Sequence, residues 1–335
     1  MIRSKKLIFM AIVLAVILML AIVTAYFLDF TPAETKWGVT FSPYYAAEEL
    51  DLDWQETYLA ILTDLNVDHI RLSAYWNSIE PEQDSYNFDD LDWQINEATN
   101  RKVEMIIAVG RKLPRWPECH NPSWISDLSQ EDIQSQQLEY ITEVINRYKT
   151  NQRIKVWQVE NEPYLKLFGE CPPLDKEFLK QEIALIKELD DRPILITDSG
   201  ELNSWIPAGR AGGEILGTTL YRVVYNPTFG YFKWFLPPSF YYYKAKIVKW
   251  LTPTDKVIVA ELQAESWHPE DKNLTQMTEV ETSKSISLEQ LRSNIEFAKQ
   301  AGFDEAYLWG VEWWYYMKTK NNYDNLWLEA KKLWQ

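Results

Sequence analysis

Between residue 37 and the end of the chain, short apolar runs alternate with helical patterns, and no other feature restricts the fold as much. Strands are predicted at 37–42, 68–73, 103–109, 154–160, 193–198, 215–221, 256–261 and 304–309. Helices are predicted at 54–65, 89–101, 129–148, 175–189, 238–250, 287–301 and 322–333, while 202–213 is short and Gly-rich. Alternating βα units build a parallel sheet with helices outside. Eight of them in about 300 residues suit a closed α/β fold, the (β/α)8 TIM barrel, as one domain. The alternative is an open doubly wound sheet, but no G-x-G-x-x-G follows a strand to support it.

Ahead of the barrel, residues 7–28 read LIFMAIVLAVILMLAIVTAYFL. At 1.5 Å per residue that run reaches about 33 Å, enough to cross a bilayer. Arg3, Lys5 and Lys6 precede it, which keeps the N-terminus inside and exports the rest. A signal peptide cleaved near Val23-Thr24-Ala25 is the competing reading, though the run is long for a signal core. The expected organisation is a basic cytoplasmic stub and transmembrane anchor over 1–28, a linker over 29–36, and a catalytic domain over 37–335. A strand beginning so soon after the anchor suggests that the lower face of the barrel sits nearer the membrane. The formal net charge is −15, and beyond the anchor 31 basic residues face 49 acidic ones. Such an acidic field argues against a nucleic-acid partner.

On a barrel, chemistry belongs at the C-terminal ends of the strands. Two of those ends carry a glutamate, Glu162 on the fourth strand and Glu261 on the seventh. Two-residue alternation puts Val257, Val259 and Glu261 on one face, and pairs Arg71 with Ser73 and Tyr221 with Thr219. Inward Glu, Arg and Tyr at one barrel mouth are costly for a core and useful for a site. Paired carboxylates are what glycoside cleavage needs: one attacks the anomeric carbon, the other protonates the leaving oxygen and then activates water. Glu265, four residues on, is the competitor for the attacking role. Only His69, His120 and His268 occur, and no cluster has metal-ligand spacing, so no metal or cofactor is expected.

These residues carry a family resemblance. Val159-Glu160-Asn161-Glu162-Pro163 resembles the Asn-Glu-Pro motif of the clan A glycoside hydrolases. Arg71-Leu72-Ser73-Ala74-Tyr75-Trp76, followed by Ile79-Glu80-Pro81 and Tyr86-Asn87-Phe88, is similar to the second-strand signature of that clan. The resemblance spans about 37–335 and lies nearest cellulase-like, membrane-anchored bacterial members without an assigned substrate. It implies a retaining β-glycosidase with Glu162 as acid/base and Glu261 as nucleophile. Asn161 would bind the sugar 2-hydroxyl, Arg71 and Tyr221 would hold the nucleophile, and Trp309 would floor the sugar site.

Tryptophans past strand ends, among them Trp76, Trp267 and Trp313, are expected to ring that site, because sugar rings stack on aromatic faces. Glu80 and Glu201 read as loop charges, and Glu160 as support for the fourth-strand motif or as part of the cleft lining. His120 and His268 are expected on loops, within reach of sugar hydroxyls. The aromatic segment 222–243 reads as a long loop folded on its helix, as a wall of the cleft, or as a membrane-touching patch. Adjacent strands place the loops bearing Cys119 and Cys171 side by side, so a Cys119–Cys171 disulfide is expected in an exported chain. The partners implied are a β-linked carbohydrate and, through the anchor, the membrane; the barrel is expected to be monomeric. A catalytically inactive glycan-binding scaffold and a transglycosylase remain alternatives on the same fold.

Overall fold

The computed structural model describes residues 9, 10, 12–14, 16, 19, 24–269 and 272–335. Eight parallel strands close a barrel: β1 (Lys36–Thr40), β2 (His69–Ser73), β3 (Glu104–Val109), β4 (Ile154–Val159), β5 (Ile194–Asp198), β6 (Ile215–Leu220), β9 (Lys256–Gln263) and β10 (Glu305–Trp309). β7 (Val223–Asn226) and β8 (Gly230–Lys233) form an antiparallel hairpin inserted after β6. All eight strands expected from the sequence are present, and the barrel closes by pairing β1 with β10.

The outer layer holds α1 (Trp54–Ala60), α2 (Asp89–Asn100), α3 (Gln130–Tyr148), α4 (Lys176–Leu189), α5 (Pro238–Leu251) and α6 (Leu288–Gln300). α7 (Val311–Lys320) and α8 (Asn325–Lys331) follow the last strand. Their starts are written in the sequence. Asp53, Ser129, Asp175 and Ser287 each accept a backbone N–H from the first turn of the helix they precede. α7 holds Trp313 on a helix, although no helix is predicted between 309 and 322.

Side-chain alternation sorts the strands into two cores. Ile70, Leu72, Val109, Trp157, Val159 and Val257 face outward and join the main cluster with the helices. Ile106, Val156, Leu195, Ile258 and Tyr307 face inward and fill the barrel. Gly38 is required beside them, because a Cβ there would meet the Tyr307 ring at 2.5 Å.

β9 breaks the alternation once. Thr218 and Thr219 of β6 pair with Val259 and Glu261, and on the other side Ala306 and Leu308 pair with Val259 and Leu262. Ala260 is therefore an extra residue in a bulge. Val257 and Val259 face out to the helices, not in, so a regular strand would have carried Glu261 outward with them. The bulge re-phases the strand and turns Glu261 into the barrel mouth. The expected shared face for these three residues is corrected accordingly.

Of the predicted anchor run, residues 7, 8, 11, 15, 17, 18 and 20–23 lie outside the described residues. Among the described residues, no helix is long and apolar enough to cross a membrane. Residues 24–27 are helical and rest on the α5 flank, where the Ser239 hydroxyl donates to the Ala25 carbonyl at 2.8 Å. Phe30 stacks on Tyr242 with ring centroids 3.7 Å apart.

Candidate active site

The strand ends bring Arg71, Asn161, Glu162, Tyr221 and Glu261 together. Arg71 lies inside the barrel, fully buried, one layer above the apolar plug. Its Nε donates to Gln158 Oε1 at 2.7 Å and its Nη2 to Asn161 Oδ1 at 2.8 Å. Its Nη1 reaches Glu261 Oε1 at 3.1 Å and the Ala260 carbonyl at 3.3 Å, so the bulge is held by the same guanidinium. The other oxygen of Glu261 accepts from the Tyr221 hydroxyl at 3.0 Å. Both Glu261 oxygens are thus fixed by donors of different elements. Removing one partner of such a buried pair typically costs about 3–5 kcal/mol.

Glu162 stands in a different environment. The chain enters the left-handed region twice, at Glu160 (φ 56°) and Glu162 (φ 43°), an irregularity that clusters at functional sites. The Glu162 backbone N–H donates to Thr197 Oγ1 at 2.7 Å, while its side-chain Oε1 is buried with no hydrogen-bond partner among the described residues. Burial pushes its carboxyl well above the ordinary range, the nearby Glu261 and Glu118 carboxylates push it further, and Lys112 partly opposes them. Lys112 is itself buried, donating to the carbonyls of Glu162 (3.2 Å) and Leu165 (3.1 Å) and pairing with Glu118 at 3.1 Å.

Asn161 Oδ1 also accepts from the Thr197 hydroxyl at 3.2 Å. Among the described residues no group takes its Nδ2 hydrogens, which leaves the amide NH2 as the end that can donate to a ligand. Beneath the motif, Glu160 accepts from the Arg111 and Lys112 backbone N–H groups at 2.8 and 2.5 Å. Gln137 donates to both Glu160 (2.9 Å) and Glu182 (2.6 Å). Burial, and then the charge of Glu160, holds the Glu182 carboxyl well above its ordinary range. Glu160 therefore supports the motif, as its position suggested.

Glu265 is anchored elsewhere. Its Oε1 accepts from Arg115 at 2.5 Å and from Trp309 Nε1 at 2.7 Å. Arg115 also pairs with the buried Glu312 at 2.8 Å and lies between the Tyr45 and Trp309 rings, 3.7 and 4.1 Å from their centroids. Gly310 (φ 123°) makes room, since a Cβ there would sit 2.4 Å from that of Glu265. Among the charges that raise the Glu162 carboxyl, that of Glu261 leads, and Glu265 is not among the leading ones.

The aromatic ring around the site is smaller than expected. Trp267 is half-buried beside Tyr221, with centroids 5.3 Å apart, and Trp309 is at the strand end. Trp76 and Trp313 are fully buried, and neither presents a face to a ligand. Trp76 donates to Glu80 at 2.7 Å and stacks on Tyr140; Trp313 is enclosed in α7. Glu80 is correspondingly buried rather than a loop charge. Glu201 accepts from the Tyr241 hydroxyl at 2.7 Å, and burial pushes its carboxyl up to about 7. His120 is buried against Tyr75, and burial lowers its imidazole to about 4; His268 is exposed.

Segment 222–243 is the hairpin and the start of α5, and the Tyr231 hydroxyl donates to the Trp267 carbonyl at 3.1 Å, so the hairpin buttresses that side of the mouth. Cys119 and Cys171 form the expected disulfide, with Cα atoms 5.3 Å apart. Among the described residues no group of His, Cys, Asp and Glu could hold a metal ion.

The family model described as Glycosyl hydrolase family 10 matches residues 52–167, a segment holding Arg71, Asn161 and Glu162. No curated protein shows a matching sequence. Among solved structures, a psychrophilic family 10 endo-β-1,4-xylanase superposes with TM-score 0.52 at 16% identity, covering 82% of this chain and 86% of that one. An exo-β-1,4-mannosidase from an Opitutaceae bacterium gives 0.57 at 14% identity, covering 84% and 53%. A family 1 β-glucosidase from Thermotoga maritima gives 0.56 at 13% identity, covering 84% and 88%. At these identities the structural likeness carries the fold. The matched segment is about a third of the chain, which is similar to family 10 there and to these structures in fold.

Proposed function

We propose that the chain is a retaining β-glycoside hydrolase acting by double displacement on an oligo- or polysaccharide. Glu261 attacks the anomeric carbon while Glu162 protonates the leaving oxygen; the covalent glycosyl-enzyme is then released by water that Glu162 deprotonates. Asn161 donates to the sugar 2-hydroxyl, Arg71 and Tyr221 hold both oxygens of the nucleophile, and Trp309 and Trp267 offer faces to the sugar. The observation that carries the reading is the contrast between the two carboxyls. One is clamped by a cation and a phenol, and the other is buried with an unpartnered oxygen and held above its ordinary range. Such divided environments assign acid and nucleophile. A β-linked substrate is supported by the neighbours, named as a β-1,4-xylanase, a β-1,4-mannosidase and a β-glucosidase. Attachment by the segment 7–28, with the barrel on the outer side of a membrane, is supported by the apolar run and the basic residues before it.

The test uses the full chain in detergent on a panel of β-linked glycans. Glu162→Gln is expected to lower turnover by about 10²–10⁴, the usual worth of a general acid. Glu261→Gln is expected to abolish it, and a fluorosugar that traps the glycosyl-enzyme should label Glu261. Turnover surviving in Glu261→Gln, or a label on Glu265, would overturn the assignment. Adding acceptor sugars and analysing products separates hydrolysis from glycosyl transfer.

A further inference from the structure

The chain holds 49 acidic residues, yet residues 215–254 contain none. The same stretch carries Arg222, Lys233, Lys244, Lys246 and Lys249. It includes the hairpin and all of α5. Along α5, Phe240, Tyr243, Ile247 and Trp250 follow helical spacing on one outward stripe, and Trp250 is 82% exposed. Phe235 at the helix entrance is 74% exposed, and Phe27, near the end of the run 7–28, is 82% exposed. Lys246 and Lys249 are exposed on the same helix. On an acidic domain this is an isolated apolar stripe with basic neighbours.

The chain itself indicates what covers it. The apolar run 7–28 ends on this flank, through Ser239 to Ala25, a Tyr26 hydroxyl bond to the Phe235 carbonyl, and Phe30 on Tyr242. We infer that α5 lies on the lipid bilayer into which residues 7–28 insert, with the Phe240–Trp250 stripe at the headgroup–acyl boundary and Lys246 and Lys249 on anionic headgroups. A basic amphipathic helix with Trp and Tyr on its apolar side has the composition of an interfacial helix. Bases near an anionic leaflet add attraction that salt weakens. The bilayer then meets the flank of the barrel at α5 rather than its lower face. The inference rests on the anchoring proposed above and is independent of the hydrolase chemistry.

The test reconstitutes the full chain into vesicles of phosphatidylcholine and phosphatidylglycerol containing a spin-labelled lipid quencher. A bimane is attached at Ile247→Cys or, on the opposite flank, at Asn96→Cys of α2. The expected result is several-fold stronger lipid quenching at 247 than at 96, reduced by Lys246→Glu with Lys249→Glu while glycosidase turnover in detergent is unchanged. Equal, weak quenching at both sites in a chain that still floats with vesicles overturns the α5 contact and leaves the anchor standing. A chain that fails to float overturns both. Shielding of position 247 from aqueous iodide without lipid quenching, at the mass of a dimer, assigns the stripe to a second copy and overturns the inference.

Discussion

Glu162 shows how one residue is tuned by what surrounds it. In the proposed role of acid it must hold its proton, and burial followed by the charges of Glu261 and Glu118 raises its carboxyl. A raised acid stays protonated to higher pH, so the alkaline limb of kcat/KM should fall above the ordinary carboxylate range. Lys112 acts against this, so Lys112→Met should move the limb higher still, and Glu162→Gln should remove it. Profiles measured on an aryl β-glycoside check all three; a limb at the value of a free carboxylate would contradict the environment described. The site residues legible in the sequence were those on strand ends, where topology alone brings side chains together. Gln158 and Thr197 were within reach of the same parity rule, since each faces inward two residues after Val156 or Leu195. Arg115, Lys112 and the Gln137–Glu182 support were not legible. They depend on a loop conformation, including Arg115 at φ 82°, or on a polar contact made by the inner face of a helix, and neither leaves a periodic trace.

At the level of single elements, β9 is the informative case. Alternation selected Glu261, but by a face that Val257 and Val259 do not share with it; the bulge at Ala260 supplies the missing half-turn. A one-residue change of phase moves every later side chain to the opposite face. Deleting Ala260 should therefore leave a regular strand in which Glu261 follows Val259 directly and still faces Arg71. Turnover should fall far less than in Glu261→Gln. A loss as deep as in Glu261→Gln would show that the bulge itself, and not the phase alone, positions this carboxylate. α7 escaped the sequence reading for the converse reason. Val311, Glu312, Trp313, Trp314, Tyr315 and Met317 are all buried, so the helix has no polar face from which a 3.6-residue period could be read.

For the whole molecule, the eightfold alternation was enough to anticipate the barrel, and the barrel was enough to anticipate the disulfide. Cys119 and Cys171, 52 residues apart in sequence, join the loops that follow β3 and β4. Closing a loop of that length removes up to about 4 kcal/mol of freedom from the unfolded chain. Cys119→Ala with Cys171→Ala should lower the unfolding midpoint in denaturant accordingly. The same variant should raise KM more than it lowers kcat, because Glu118 and Lys112 lie on a tethered loop whereas Glu261 does not. An unchanged midpoint would show that the barrel alone holds these loops.

The polar layer that Arg71 forms with Gln158, Asn161 and Glu261 occupies volume that an aliphatic layer would fill at lower desolvation cost. It sits directly above a well-filled apolar plug. The chain therefore trades stability for a positioned carboxylate in the interior of its own barrel. Selection for heat resistance alone would erode this layer first, and the most robust descendants of the sequence would be the ones that no longer cut.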